Sequence, residues 1–408
     1  MLDQGCVKEQ CYERPLLQEN AMPLKQAWML ATICAVGLGL TQASAEVGVT
    51  TDTIRLGQVC ALTGPAQGLG QELQAGARAY FAYINSQGGI HGRTIRLLTL
   101  DDRYEPEQTI AATKHLLDQE QVFMLFGYVG TPTSTAAVPL TKPAQVPFFA
   151  PFTGAEFLRT PVRANVYNVR ASYFQETEAQ VHQLVDVLGK KNIAVFYQND
   201  SYGRAGLGGV QKALRQRGLD VAATGTYQRN TLEVHAALEA IQQVRPDAVI
   251  MIGAYKPCAA FIKAAKVAGM QALLLNVSFV GSLPLARELD GDGDGVIVTQ
   301  VVPLPWDTTT PLVAEYQQHL HQYVPGVEPG FGSLEGYLDA QIVVHAIRQA
   351  GPALTRAALT KALDGMTQVD FGGVTVSFSP TDHQGLDTVY LTVLQGGRYK
   401  QVQSLQER

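Results

Sequence analysis

Ile54-Arg55-Leu56-Gly57-Gln58-Val59 and Ile95-Arg96-Leu97-Leu98-Thr99-Leu100 enclose a stretch in which Leu73, Ala77, Tyr80, Phe81 and Ile84 recur at helical spacing until Gly88-Gly89 stops it. This reads as strand, amphipathic helix and second strand. Short β-branched runs continue the alternation at 122–126 and 147–150, then at 166–169, 193–197, 221–225, 248–252 and 273–275. Strands alternating with helices predict parallel sheets covered by helices on both faces. The expected fold class is α/β, with two similar halves in one chain. From about residue 303 the character changes. Helices are expected over 310–323, 333–350 and 354–364, and antiparallel strands over 374–402.

Upstream of the first strand, Lys25, the apolar stretch 27–40 and Ala43-Ser44-Ala45 have the layout of an export signal cleaved after Ala45. The apolar run is too short to span a bilayer, and Ile33 before Cys34 is wrong for lipid attachment. Residues 1–21 carry acids, a proline and two cysteines, which suits no signal. They read as a mis-assigned extension, with a real cytoplasmic extension as the alternative.

Beyond residue 45 the chain keeps 28 basic and 32 acidic residues. That balance argues against nucleic acid or an anionic membrane as partner. Of five cysteines only Cys60 and Cys258 lie beyond the signal, too few for a disulfide scaffold or a cysteine-rich metal site. Both fall at carboxyl ends of expected parallel strands, as unpaired small hydrophobes or, alternatively, as a disulfide.

Catalytic signatures are missing: no Gly-x-Ser-x-Gly elbow, no phosphate-binding Gly-x-x-x-x-Gly-Lys and no His-Glu-x-x-His. Asp290, Asp292, Asp294 and Gly295 imitate half a calcium loop, but Val301 stands where a bidentate Glu is needed. His319 and His321 lie two apart on an expected helix and point to different faces. No metal, no cofactor and no enzymatic activity are expected. Segments at strand ends are instead rich in small, hydroxyl and aromatic residues: 61–65, 127–134, 152–154 and 253–255. Each precedes a helix whose free N–H groups suit an anion; turn and capping roles are the alternative.

Asn85-Ser86-Gln87-Gly88-Gly89-Ile90-His91-Gly92, Asp101-Asp102 with Glu105-Pro106, and Asp200-Ser201-Tyr202-Gly203 resemble the type I periplasmic solute-binding proteins of the branched-chain amino-acid and amide family. The resemblance runs from about residue 52 to the C-terminal strands. It implies two Rossmann-like lobes joined by a three-strand hinge, with crossings near 168, 303 and 367. Lobe 1 would be 47–168 plus 304–366, and lobe 2 169–303 plus 367–408. The implied function is an extracytoplasmic, monomeric receptor in the periplasm that closes on a small carboxylate-bearing solute and docks on an ABC permease in the inner membrane. A ligand-sensing module that presents its closed state to a membrane receptor or regulator is the alternative.

Carried over by position, Thr131 matches the residue that holds a ligand carboxylate, and Phe152, Thr153 and Gly154 match the segment that holds an amino group. Tyr202 and Tyr255 match aromatics of the second lobe. Leu62, Leu69, Tyr128, Gly130, Tyr173, Ala254, Ser278 and Phe279 complete the expected ligand-binding set. Ser278 stands where amino-acid binders place an acid, so an α-amino acid is not assured, and an organic or aromatic acid is a rival. Tyr104 and Gly130 occupy positions that some relatives fill with a pair of joined cysteines.

Overall fold

The computed structural model describes residues 46–407, so the expected extension and export signal lie outside the described residues. The opening unit forms as anticipated: β1 (Thr53–Cys60), α1 (Gln67–Ser86) and β2 (Thr94–Asp101), with β1 and β2 paired in parallel over their full length. α2 (Pro106–Asp118), β3 (Met124–Phe126), α3 (Thr131–Thr141), β4 (Phe148–Phe149) and β5 (Val166–Tyr167) complete an all-parallel sheet of order β2-β1-β3-β4-β5. Gly88 and Gly89 both adopt positive φ where α1 stops.

The chain then builds a second sheet. α4 (Tyr173–Val181), β6 (Ile193–Gln198), α5 (Ser201–Arg215), β7 (Thr224–Tyr227), α6 (His235–Gln242), β8 (Ala248–Ile252), α7 (Tyr255–Val267), β9 (Leu273–Asn276), α8 (Ser282–Leu289) and β10 (Ile297–Gln300) follow in order. Strand β7 starts three residues later than the β-branched run at Val221 suggests. Next, α9 (Pro311–Tyr323), α10 (Phe331–Ala350) and α11 (Arg356–Asp364) return to the first sheet's side. The short pair β11 (Val369–Asp370) and β12 (Thr375–Val376) precedes the hairpin β13 (Tyr390–Gln395) and β14 (Arg398–Val402). That hairpin adds antiparallel strands to give the order β14-β13-β10-β9-β8-β6-β7.

Helix α10 is buried along nearly its whole length, and two glycines let it lie against α1. A Cβ at Gly76 would stand 1.8 Å from the Ser333 carbonyl oxygen, and one at Gly336 would stand 2.1 Å from that of Leu73. The helix backbones therefore touch, and this contact fixes Glu335 between them and the cleft.

One expected boundary is corrected. Segment 367–386 packs on the first lobe, not the second: the Asn168 and Gly385 amides donate to the His383 and Asn168 carbonyls, and His383 stacks on Tyr167 at 4.0 Å. Phe378 meets Tyr167 edge-on at 5.6 Å. The chain joins the second sheet only at Tyr390, the start of β13, so the third crossing falls between Leu386 and Tyr390. Among the described residues no helix is long and apolar enough to cross a membrane.

Candidate functional site

Strand order reverses at the same place in both sheets. β2 and β3 flank β1 in the first, and β7 and β8 flank β6 in the second. Loops leaving adjacent strands at such a point diverge to opposite faces and open a crevice at the carboxyl edge. Leu62 and Leu69 follow β1, and Gly130 and Thr131 follow β3. Tyr202 follows β6, and Ala254 and Tyr255 follow β8. The two crevices face each other, and most of the expected ligand residues meet there.

On the first lobe, Gly130 caps α3 with φ 106°, and the Tyr104 ring lies so close that a Cβ at Gly130 would stand 2.2 Å from it. The residues at the two aligned cysteine positions thus do meet, as a ring on a glycine. Thr131 opens α3, and its Oγ1 lies 2.6 Å from Thr153 Oγ1. Both hydroxyls are buried beside a helix start, where N–H groups lack intrahelical acceptors. Gly154 accepts the Tyr173 amide at 2.7 Å and lies directly under that ring. Leu62 is half-buried at the rim, where its amide donates to Asp101 at 2.8 Å.

Phe279 is the centre of an aromatic cluster drawn from both lobes. Its ring lies 4.5 Å from Tyr202, 5.6 Å from Phe152 and 6.1 Å from Tyr104. Tyr173 joins through Tyr202 at 5.4 Å. Tyr255 reaches across to accept the Gly68 amide at 3.2 Å, and the Ala254 amide donates to the Tyr227 hydroxyl at 3.0 Å. At the mouth, Arg229 Nη2 meets Glu105 at 2.8 Å and its Nη1 meets Asp200 at 3.1 Å, while Asn230 donates to Glu105 at 2.7 Å.

Tyr128 does not belong to this set and is corrected. Its hydroxyl bonds to Thr113 of α2 at 3.0 Å and its ring packs on Phe148 at 4.9 Å. It belongs to the core beneath α2 and α3, on the far face of the sheet. β3 ends at Phe126, and Gly127 and Gly130 both adopt positive φ, so the strand's alternation does not carry through to the cleft and Tyr128 turns to the other face.

Charged residues at the hinge end were not anticipated. Arg170, on the first crossing, grips Glu335 of α10 with Nε at 2.9 Å and Nη2 at 3.1 Å from the two carboxylate oxygens. Nη2 also donates to Ser278 Oγ at 2.8 Å, and its guanidinium lies 4.3 Å above the Phe152 ring. The Ser278 hydroxyl and amide donate to the two oxygens of Glu176 at 2.9 and 2.7 Å, and Thr299 adds a third donor at 2.7 Å. Burial alone would lower the Arg170 pKa, but the charges of Glu335 and Glu176 raise it above the ordinary value. An acid, Glu176 of α4, thus lies directly behind Ser278. One signal was available: Glu335 is a charge inside an otherwise apolar and small helical run, Phe331-Gly332-Ser333-Leu334-Glu335-Gly336-Tyr337-Leu338.

Cys60 and Cys258 are free and buried. His319 stacks on Tyr83 at 3.9 Å and bonds the Tyr337 hydroxyl at 2.7 Å, a packing role away from the cleft.

Two parallel-sheet lobes, crossed three times by the chain and facing each other across an aromatic and hydroxyl-lined cleft, define a two-lobed solute-binding protein. The chain belongs to the periplasmic binding protein family, whose model matches residues 53–398. It is a binding protein, not an enzyme, and the family's place is the periplasm. It is 24% identical to Leu/Ile/Val-binding protein homolog 7 of Brucella abortus over 352 residues, 82% of this chain and 85% of the relative. A possible leucine/isoleucine/valine-binding protein from Rhodopirellula baltica is 35% identical with a TM-score of 0.82, covering 88% of this chain and 98% of that one. The fold is also that of a branched-chain amino acid ABC transporter protein from Thermus thermophilus with bound valine, at 20% identity and a TM-score of 0.79, covering 87% of this chain and 97% of that one.

Proposed function

We propose that the chain is the extracytoplasmic receptor of an ABC importer, exported with cleavage after Ala45, and that it captures a small carboxylate-bearing solute by closing its lobes. The observation that carries this reading is the Thr131–Thr153 hydroxyl pair, 2.6 Å apart at the start of α3 and faced by the Phe152, Tyr173, Tyr202 and Phe279 rings. Two hydroxyls and the α3 amides are donors for one carboxylate, each charge-assisted bond contributing about 1.5–3 kcal/mol. The rings desolvate an apolar or aromatic body. Closure is supported by bonds that exist only when the lobes meet, those of Tyr255 with Gly68 and Arg229 with Glu105. A permease would read that closed state.

Relatives named for leucine, isoleucine and valine make those amino acids the first solutes to test. Glu176 behind Ser278 supports an ammonium more than the serine alone does, and amides and organic or aromatic acids stay in the panel. The test is thermal melting and calorimetry of the mature chain against branched-chain amino acids, amides and small carboxylates. Mass spectrometry of solute released from natively purified protein accompanies it. One-site binding with a solute-dependent rise in melting temperature is expected; a flat response to the whole panel overturns the reading.

A further inference from the structure

Behind Phe152, at the hinge end, is a cavity of about 10 Å³ lined among others by Leu69, Glu72, Arg170, Gln300, Val301 and Gly332. That is about the room one water needs. Two of its lining side chains present a polar atom with no hydrogen-bond partner. Arg170 is only 1% exposed; Nη2 bonds Ser278 and Glu335, Nε lies 2.9 Å from Glu335 as an ion pair without completing a hydrogen bond, and Nη1, on the opposite edge, has no acceptor. Glu72 accepts the Gly332 amide at the start of α10, yet its buried Oε1 has no donor. A buried polar group left unpaired costs about 1–3 kcal/mol, more when charged. Here a donor and an acceptor border one small space, and both belong to side chains held in place by their other bonds.

We propose that this cavity is a polar subsite of the solute cleft, which receives an uncharged terminal hydroxyl that accepts from Arg170 Nη1 and donates to Glu72 Oε1. The inference rests on the reading of the cleft as the solute site. Charge and donor count select the class: a terminal ammonium would meet the Arg170 guanidinium, and a terminal carboxylate would bring no donor to Glu72. A neutral group with both a donor and an acceptor satisfies the two at once, and a methyl satisfies neither. Phe152 connects the subsite to the main cleft. Its ring lies under the Arg170 guanidinium, and the next residue is Thr153 of the hydroxyl pair, one Cα step of about 3.8 Å away. A solute whose carboxylate rests on Thr131 and Thr153 would pass Phe152 to reach Arg170. The walls come from both lobes, with Glu72 and Gly332 on one side and Ser278 and Ser282 on the other, so the volume grows as the lobes part.

The test compares solutes of matched length by calorimetry on the mature chain: 5-hydroxynorvaline against norleucine, and 5-hydroxypentanoate against hexanoate. In at least one pair the polar member is expected to bind tenfold or more tightly than its apolar partner. Glu72→Met is expected to erase that preference, and Glu72→Gln, which keeps a carbonyl acceptor, to retain it. Solute-free melting verifies that each variant folds, and the comparison in the native chain stands without them. Equal or tighter binding of norleucine and hexanoate in the native chain overturns the subsite and leaves the receptor reading intact. A preference that survives Glu72→Met overturns it as well. Silence of all four solutes, with leucine also silent, removes the receptor reading and this inference together.

Discussion

Arg229 of the second lobe and Glu105 of the first are joined across the mouth of the cleft at 2.8 Å, with Asp200 holding the other arm of the same guanidinium at 3.1 Å. The Asp200 contact lies within one lobe and the Glu105 contact joins the two, so under the proposed closure only the Glu105 contact is tied to the closed form. Arg229→Gln is therefore expected to weaken solute binding several-fold, since partly exposed pairs contribute about 0.2–1 kcal/mol, with little change in solute-free melting. Calorimetry at low and high salt checks it. The native chain should lose affinity as salt rises, and the variant should lose less.

Thr131→Val keeps the shape of the Thr131 side chain and removes the hydroxyl that faces Thr153. Loss of one charge-assisted bond of about 1.5–3 kcal/mol corresponds to a roughly 10- to 150-fold weaker solute constant. A variant that melts like the parent and binds its solute equally well would remove Thr131 from the site.

Tyr128→Phe separates core from cleft. The Tyr128 hydroxyl bonds only Thr113, so its removal is expected to cost about 1 kcal/mol of stability and leave the solute constant unchanged. Denaturant unfolding and calorimetry on the same preparation decide it.

Glu72 makes stability depend on pH in a defined direction. Burial raises its carboxyl from 4.5 to about 7, against the Arg287 charge and the Gly332 amide that pull it down. The folded chain then binds more protons than the unfolded chain between those values, and this group's contribution falls as pH rises through the window. The full loss is at most about 3 kcal/mol above pH 7. Solute-free Glu72→Gln is expected to melt like the parent near pH 4 and above it at pH 8. A constant difference across that range would contradict the assignment.

Much of the architecture was legible because helices and strands bury one face at fixed periods. Leu73, Ala77, Tyr80, Phe81 and Ile84 mark the buried stripe of α1, and the apolar run 248–252 is β8 residue for residue. Strand ends carrying small and hydroxyl residues led to the cleft, since carboxyl ends at a strand-order reversal are where such sheets open. Tyr128 was misplaced because sequence gives proximity along the chain but not the side of the sheet a loop residue faces. The boundary near 367 failed for a related reason: residues 369–385 have no periodicity strong enough to name the sheet they cover.

What the sequence alone determined was therefore the α/β class, the order of elements and the edge at which solute chemistry gathers, all carried by local period and turn residues. Only the tertiary structure decided which charges share the cleft. Arg170, Glu176, Ser278 and Glu335 are separated by up to 165 residues, and their pairing depends on α10 lying against α1 and on the first crossing passing between the lobes. No local pattern encodes that meeting, because Coulomb and hydrogen-bond partners are selected by distance in space after the backbones have packed.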